Sequence, residues 1–246
     1  MFTKFLILIS LISVSLQVEL SDADKKLPIG IIPGLEDFCG NPISMGYLEK
    51  EIQKRVDNKV FCINSGPFIA SLLTSLESQI ERGCRILHEQ FDTINLKDGF
   101  ILMGFSQGGL VARALLQKCD IGKYVKKLIS YGGPHNGVAM IPGLTGHDPI
   151  TNLVGKITDE VVYWPLIQGI VGPAGYFHRI DDESQYINSN IVLADLNNVH
   201  EKKNPEYKAR VSALEAFVMI QFSEDIIIVP KESTHFGFYK NSSKTD

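Results

Sequence analysis

The sequence predicts an α/β fold, a mostly parallel sheet flanked by helices with an inserted cap, and three observations carry that expectation. Short apolar runs alternate with stretches of helical periodicity between residues 26 and 131, the order that builds parallel sheets. A Gly-x-Ser-x-Gly at 104–108 stands between one such run and one such stretch, the context of a serine exposed on a tight strand-to-helix turn. A chain of 246 residues that is 44% hydrophobic, with mean hydropathy +0.05, also holds enough apolar material for one large domain.

The elements follow in order. Residues 26–32 (KLPIGII) are a short apolar run stopped by Pro33 and Gly34, which reads as a buried strand and a loop. Ile43, Leu48, Ile52 and Val56 recur near the helix period, with Asn41 and Pro42 as start signals. Residues 59–63 (KVFCI) form a second strand. Ile69, Leu72, Leu76, Ile80, Cys84, Leu87 and Phe91 then mark one face of a long amphipathic helix. A third strand at 99–103 (GFILM), a helix at 107–118 and a fourth strand at 127–131 (KLISY) complete the alternation. Between 138 and 200 the pattern breaks down, with many Gly and Pro and the only tryptophan, Trp164. That stretch is too long for an ordinary connection and reads as the cap. A helix at 205–216 and a strand at 217–222 (FVMIQF), ending in Ser223, Glu224 and Asp225, follow.

The first 18 residues carry Lys4, an apolar run and small residues at Ser13 and Ser15, the pattern of a signal peptide; the domain is placed at 19–246. The run is shorter than the ~20 apolar residues that span a bilayer, and no later segment predicts a transmembrane span. The signal directs the chain to the secretory pathway, where Cys39, Cys62, Cys84 and Cys119 meet an oxidising lumen. Four cysteines allow three full pairings, and their spacings match no zinc pattern. The sequence therefore predicts neither metal nor cofactor. A net charge of −4 with scattered Lys and Arg offers no basic stripe for nucleic acid. Asn241, in Asn-Ser-Ser, is the glycosylation sequon.

Ser106 is the candidate nucleophile. Gly104 and Gly108 flank it where a tight turn brings backbone against backbone, and the following helix aims its N-terminus, with the Gln107 amide, at a developing oxyanion. The alternative is a glycine-rich turn with a surface serine. The Leu35 amide, in the loop after the first strand, is the candidate second donor. Fold order places the acid after a late strand and the histidine last, which selects Asp225, with Glu224 as its alternative. Of six histidines only His235 follows Asp225, in a segment too short for another strand and loop. His135 lies after the strand next to the elbow strand, out of order for a base.

Several segments resemble the lysosomal palmitoyl-protein thioesterases: GNPISMG after Cys39, MGFSQGGLVARALLQKC, YGGPHNGV, NSNIVLADLNN and FVMIQFSEDIIIVPKESTHFGFY. They are colinear from residue 27 to about 239. The resemblance implies an α/β-hydrolase fold and cleavage of thioester-linked long acyl chains from S-acylated proteins or peptides. It implies Ser106 as nucleophile, Asp225 as triad acid, Leu35 and Gln107 as oxyanion amides, a Cys84–Cys119 disulfide, and a lysosomal destination, with secretion as the alternative. Pro33 stands where the family has histidine. Gly40 replaces one of two adjacent family cysteines, which leaves Cys39 and Cys62 either free or paired together. The resemblance also implies a further strand and a triad histidine beyond the FGFY segment, whereas the sequence given stops at Asp246; the expectation is a chain lacking that segment.

The apolar residues Ile141, Leu144, Leu153, Val161, Val162, Trp164, Leu166 and Ile167 of the cap either line an acyl groove or pack the cap on the sheet. Two other readings remain beside the thioesterase: a catalytically impaired acyl-binding or interaction protein, and a general lipase or esterase. The sequence assigns no oligomeric state.

Overall fold

The structure, a computed structural model, describes residues 27–66, 68–140 and 161–240. The signal sequence, His147, Asn241 and the cap residues Ile141, Leu144 and Leu153 lie outside the described residues.

Among the described residues the strands are β1 (Ile29–Ile32), β2 (Val60–Cys62), β3 (Phe100–Phe105), β4 (Val125–Tyr131) and β5 (Ala216–Ile220). They form one parallel sheet in the order β2-β1-β3-β4-β5, with Ile31 opposite Met103, Gly104 opposite Ser130 and Tyr131 opposite Ile220. The chain moves outward from β1 to β2, then returns across β1 to β3 and continues the other way. The strand order therefore reverses between β1 and β3, and the crevice beyond their carboxyl ends is where open α/β sheets bind ligands.

The pleat sends alternate residues to two cores. Ile32, Ile63, Phe100, Leu102 and Leu128 join Leu110, Val111 and Leu115 on one face; Ile29, Ile31, Ile101 and Met103 pack with Val60 on the other. β3 is buried along nearly its whole length, as a central parallel strand must be, which explains its unbroken apolar run.

The helices are α1 (Met45–Arg55), α2 (Leu76–Gln90), α3 (Gln107–Lys118), α4 (Pro165–Ile170), α5 (Glu183–Ser189), α6 (Leu193–Leu196) and α7 (Pro205–Ser212). α3 coincides with its predicted span. Two helices begin later than the apolar period predicts, each for a local reason. The Asp37 carboxylate accepts from the Phe38 N–H, Asn41 Nδ2 and Ser44 Oγ, holding 41–44 as a turn, and Ile43 is left 65% exposed. The long helix starts at Leu76 because Ser75 caps it through the Ser78 N–H. Gln79 Nε2 donates to the carbonyls of Ser71 and Thr74, so Phe68–Ser71 becomes a separate 3-10 turn. Helical period alone carries no mark of that break.

Cys39 is bonded to Cys62, pinning the turn after β1 to the end of β2, and Cys84 is bonded to Cys119, joining α2 to the end of α3. In the described part of the 138–200 stretch, the Gly172 N–H donates to the Leu72 carbonyl and Gly175 sits on Leu76, so this layer rests on the start of α2. Val162 is buried, but Trp164 and Leu166 are 59% and 69% exposed, so these two do not serve as packing between cap and sheet. No described helix is long and apolar enough to cross a membrane.

Candidate active site

Ser106 has φ 52° and ψ −124°, a region that non-glycine residues occupy only under constraint. The constraint is visible on every side. The Ser106 N–H donates to the Tyr131 carbonyl at 2.7 Å, fastening the end of β3 to the end of β4. A β-carbon on Gly104 would overlap the Gly108 carbonyl, one on Gly108 the Pro33 carbonyl, and one on Gly109 the Ser130 hydroxyl. Three glycines thus let strand, turn and helix approach at backbone distance. Ser106 is half-buried at the first turn of α3, at the switch point between β1 and β3.

The loop after β1 closes the other side of the crevice. A β-carbon on Gly34 would lie 3.4 Å from that of Ser106, which sets Leu35, one residue on, beside the elbow. The loop is held by its neighbours: the Asp37 N–H donates to the Gly34 carbonyl at 3.3 Å, and the Glu36 N–H, at φ 59°, donates to Ser71 Oγ at 2.6 Å. Ser71 is 1% exposed. The Gln107 side chain turns inward, donating to Gln79 Oε1 at 2.9 Å, and Gln79 in turn donates to the Ser71 carbonyl. One buried network therefore fixes both the residue after the serine and the loop facing it. Neither Ser71 nor Gln79 carries a motif in the sequence; only the fold brings them to the crevice.

Asp225 lies in the turn after β5. Its Oδ1 accepts from the N–H groups of Ile227 and Ile228 at 2.9 and 3.0 Å, which orients the carboxylate. A β-carbon on Gly132, at φ 57°, would lie 3.6 Å from Asp225 Oδ2, and the Gly132 N–H donates to the Ile220 carbonyl. Because Ser106 bonds to the adjacent Tyr131, the serine and the carboxylate flank the same β4 terminus.

Four of the described histidines are engaged elsewhere. His135 is fully buried, its Nε2 2.9 Å from Ser130 Oγ and its ring stacked on Phe236; burial, with Arg113 and His235 nearby, holds it well below the usual imidazole range. His178 pairs with the Asn136 carbonyl and Glu183, between Tyr186 and Phe238. His235 Nε2 is 3.1 Å from the Met219 carbonyl on β5, and His88 pairs with Asp120. Burial raises the Tyr131 phenol. Among the described residues no group of three or more His, Cys, Asp or Glu side chains is arranged to hold a metal ion.

A parallel sheet whose central strand ends in a strained serine turn, faced by the loop at its switch point, defines an α/β-hydrolase. The chain belongs to the palmitoyl protein thioesterase family, whose sequence model matches residues 28–246. It is 32% identical to palmitoyl-protein thioesterase 1 of Caenorhabditis elegans, over 96% of this chain and 80% of that protein. It is 36% identical to palmitoyl-protein thioesterase 3 of Dictyostelium discoideum, over 75% of this chain and 60% of that protein. The lysosomal thioesterase PPT2 homolog of Drosophila melanogaster is 31% identical over 58% of this chain and 48% of its own length.

Proposed function

We propose that this chain is a thioester hydrolase that removes palmitoyl groups from S-acylated proteins or peptides, working in the lysosome after passage through the secretory pathway. The observation that carries the reading is the Ser106 elbow set against the Gly34 loop. Ser106 Oγ attacks the thioester carbonyl as its proton is taken by a base; the carbonyl oxygen gains the charge, and the amides of Leu35 and Gln107 receive it. Collapse breaks the carbon–sulfur bond and releases the cysteine thiol with a proton. Water then attacks the acyl-serine, freeing the fatty acid and returning a proton to Ser106. Asp225 is the acid that orients the base. The exposed Trp164, Leu166, Ile170 and Leu73 offer apolar surface to the acyl chain, each buried methylene adding about 0.8 kcal/mol.

A second reading rests on the histidine partners. Since His135, His178 and His235 each bond to groups other than Ser106 and Asp225, the alternative is a catalytically silent acyl-binding protein. Steady-state hydrolysis of a palmitoylated cysteine peptide and of its serine oxygen ester separates the readings. The thioesterase predicts turnover of the thioester, at least tenfold faster than of the oxygen ester. Binding without turnover supports the silent protein, and a faster oxygen ester supports a general esterase.

A further inference from the structure

The helix α4 (Pro165–Ile170) is built inside out. Its buried side is polar: Gln168 is 1% exposed, with Nε2 donating to the carbonyls of Val162 and Ala174 at 2.8 and 2.7 Å and Oε1 accepting from the Ile191 N–H at 3.3 Å. Its outward side is apolar: Leu166 and Ile170, one turn apart, are exposed, and so is Trp164 at the N-cap position. A helix on a globular domain ordinarily turns its apolar stripe inward. The three bonds of Gln168 hold this one the other way round.

The outward face continues beyond α4. The Gly172 N–H donates to the Leu72 carbonyl at 2.9 Å, and a β-carbon on Gly172 would lie 2.4 Å from the Ser71 carbonyl. The helix end therefore abuts the turn that carries Phe68 and Leu73, both exposed. Neither segment that builds this face, 62–76 or 161–177, contains a charged residue or a histidine. The same turn reaches the elbow, because Gln79 bonds to the Ser71 carbonyl on one side and to Gln107 on the other. Exposed apolar faces of this kind mark interaction sites with proteins or membranes.

We propose that this face docks on the surface of a lipid bilayer, with Leu166, Ile170, Leu73 and Phe68 entering the acyl region and the Trp164 indole at the level of the headgroups. Chemistry selects lipid over a protein partner. Protein interfaces carry a polar rim and regular hydrogen bonds, whereas the five exposed side chains here offer one polar atom, the indole nitrogen of Trp164. With a net charge of −4 and no basic residue in either segment, the face suits a neutral lipid surface rather than an anionic one. Its use rests on the thioesterase reading: a long acyl chain on a protein cysteine is itself held in lipid, and an enzyme standing on the bilayer meets it without carrying it through water.

Trp164 is the only tryptophan, so its fluorescence reports on this face alone. The chain is produced through the secretory pathway and freed of residues 1–18, whose apolar run would itself bind lipid, then titrated with phosphatidylcholine vesicles. The emission is expected to shift to the blue and to be quenched by lipids brominated in their acyl chains. Leu166→Ser with Ile170→Ser is expected to raise the half-saturating lipid concentration about tenfold or more, the scale of apolar side chains withdrawn from burial, whereas Val218→Ser, an exposed position on the edge strand β5, leaves it unchanged. Adding phosphatidylserine to the vesicles is expected to bring no tighter binding. The proposal is overturned if no shift or no quenching occurs at lipid excess, if Val218→Ser weakens binding as much as the double variant, or if binding requires phosphatidylserine. It is equally overturned if the shift develops without lipid as the protein is concentrated, which would make the face an interface between copies. None of these readings needs turnover, so a chain that hydrolyses a soluble palmitoylated peptide but ignores vesicles keeps the thioesterase reading and loses the docking face.

Discussion

The Glu36 N–H donates to Ser71 Oγ at 2.6 Å across 35 residues of sequence, and this bond sets the loop that faces Ser106. Leu35 precedes Glu36, so its amide direction depends on a buried serine with no part in the chemistry. Ser71→Ala is expected to lower kcat on a palmitoyl thioester about ten- to a hundredfold, the scale on which a misplaced donor acts, with KM little changed. Equal kcat in the variant would detach this bond from the oxyanion loop.

The glycine packing around the elbow predicts a stability effect separate from activity. Gly108→Ala puts a methyl onto the backbone carbonyls of Pro33 and Ile32. Backbone cannot move aside as a side-chain end does, so the substitution should destabilise by about 3 kcal/mol, the upper range for overpacking. Gly169→Ala, where an added β-carbon meets nothing within 4 Å, is the control and should leave the urea midpoint nearly unchanged.

His135 predicts how stability responds to acid. Its folded value lies below the unfolded value, about 6.5, so between the two the unfolded chain binds one more proton than the folded one. Stability from this group is complete above about pH 6.5 and is lost as pH falls through that window, at up to about 1.4 kcal/mol per pH unit. The ring faces Arg113 and His235 as its titratable neighbours and Phe236 and Phe217 as its aromatic ones. Urea unfolding at about pH 5 and about pH 7.5 should show a gap that shrinks in His135→Gln.

The disulfides close loops of 23 and 35 residues, for which chain entropy gives about 3 to 4 kcal/mol each. Cys39→Ser with Cys62→Ser should lower the melting temperature and, because that bond anchors the turn beyond the β1 loop, also reduce kcat. Cys84→Ser with Cys119→Ser should lower the melting temperature with a smaller effect on kcat, since that bond joins the middle of α2 to the end of α3 away from the elbow. Differential scanning calorimetry beside an activity assay distinguishes the two.

These predictions draw on parts of the site that the sequence reveals unequally. The strand β3, the turn at Ser106 and α3 were legible because apolar run, glycine spacing and helix period agree over one continuous stretch. The position of Asp225, in the turn after β5, was legible from the apolar strand before it. The later start of α2 was not, because Ile69 and Leu72 continue the helical period while Ser75 and Gln79 break it by hydrogen bonds that periodicity does not register. Ser71 and Gln79 were invisible as site residues, since their contribution exists only once β1, the 3-10 turn and α2 meet. The exposure of Trp164 and Leu166 was equally unreadable: apolar composition identifies what can be buried, not what is.

Attack of Ser106 on the acyl group is read by mass spectrometry of the protein quenched in acid during reaction with a palmitoylated cysteine peptide. A palmitoyl ester is expected on the peptide containing Ser106 and is absent in Ser106→Ala, whose turnover should fall by a factor of about 10³ or more. Turnover that persists in Ser106→Ala, or an acyl group found on a different residue, would contradict it.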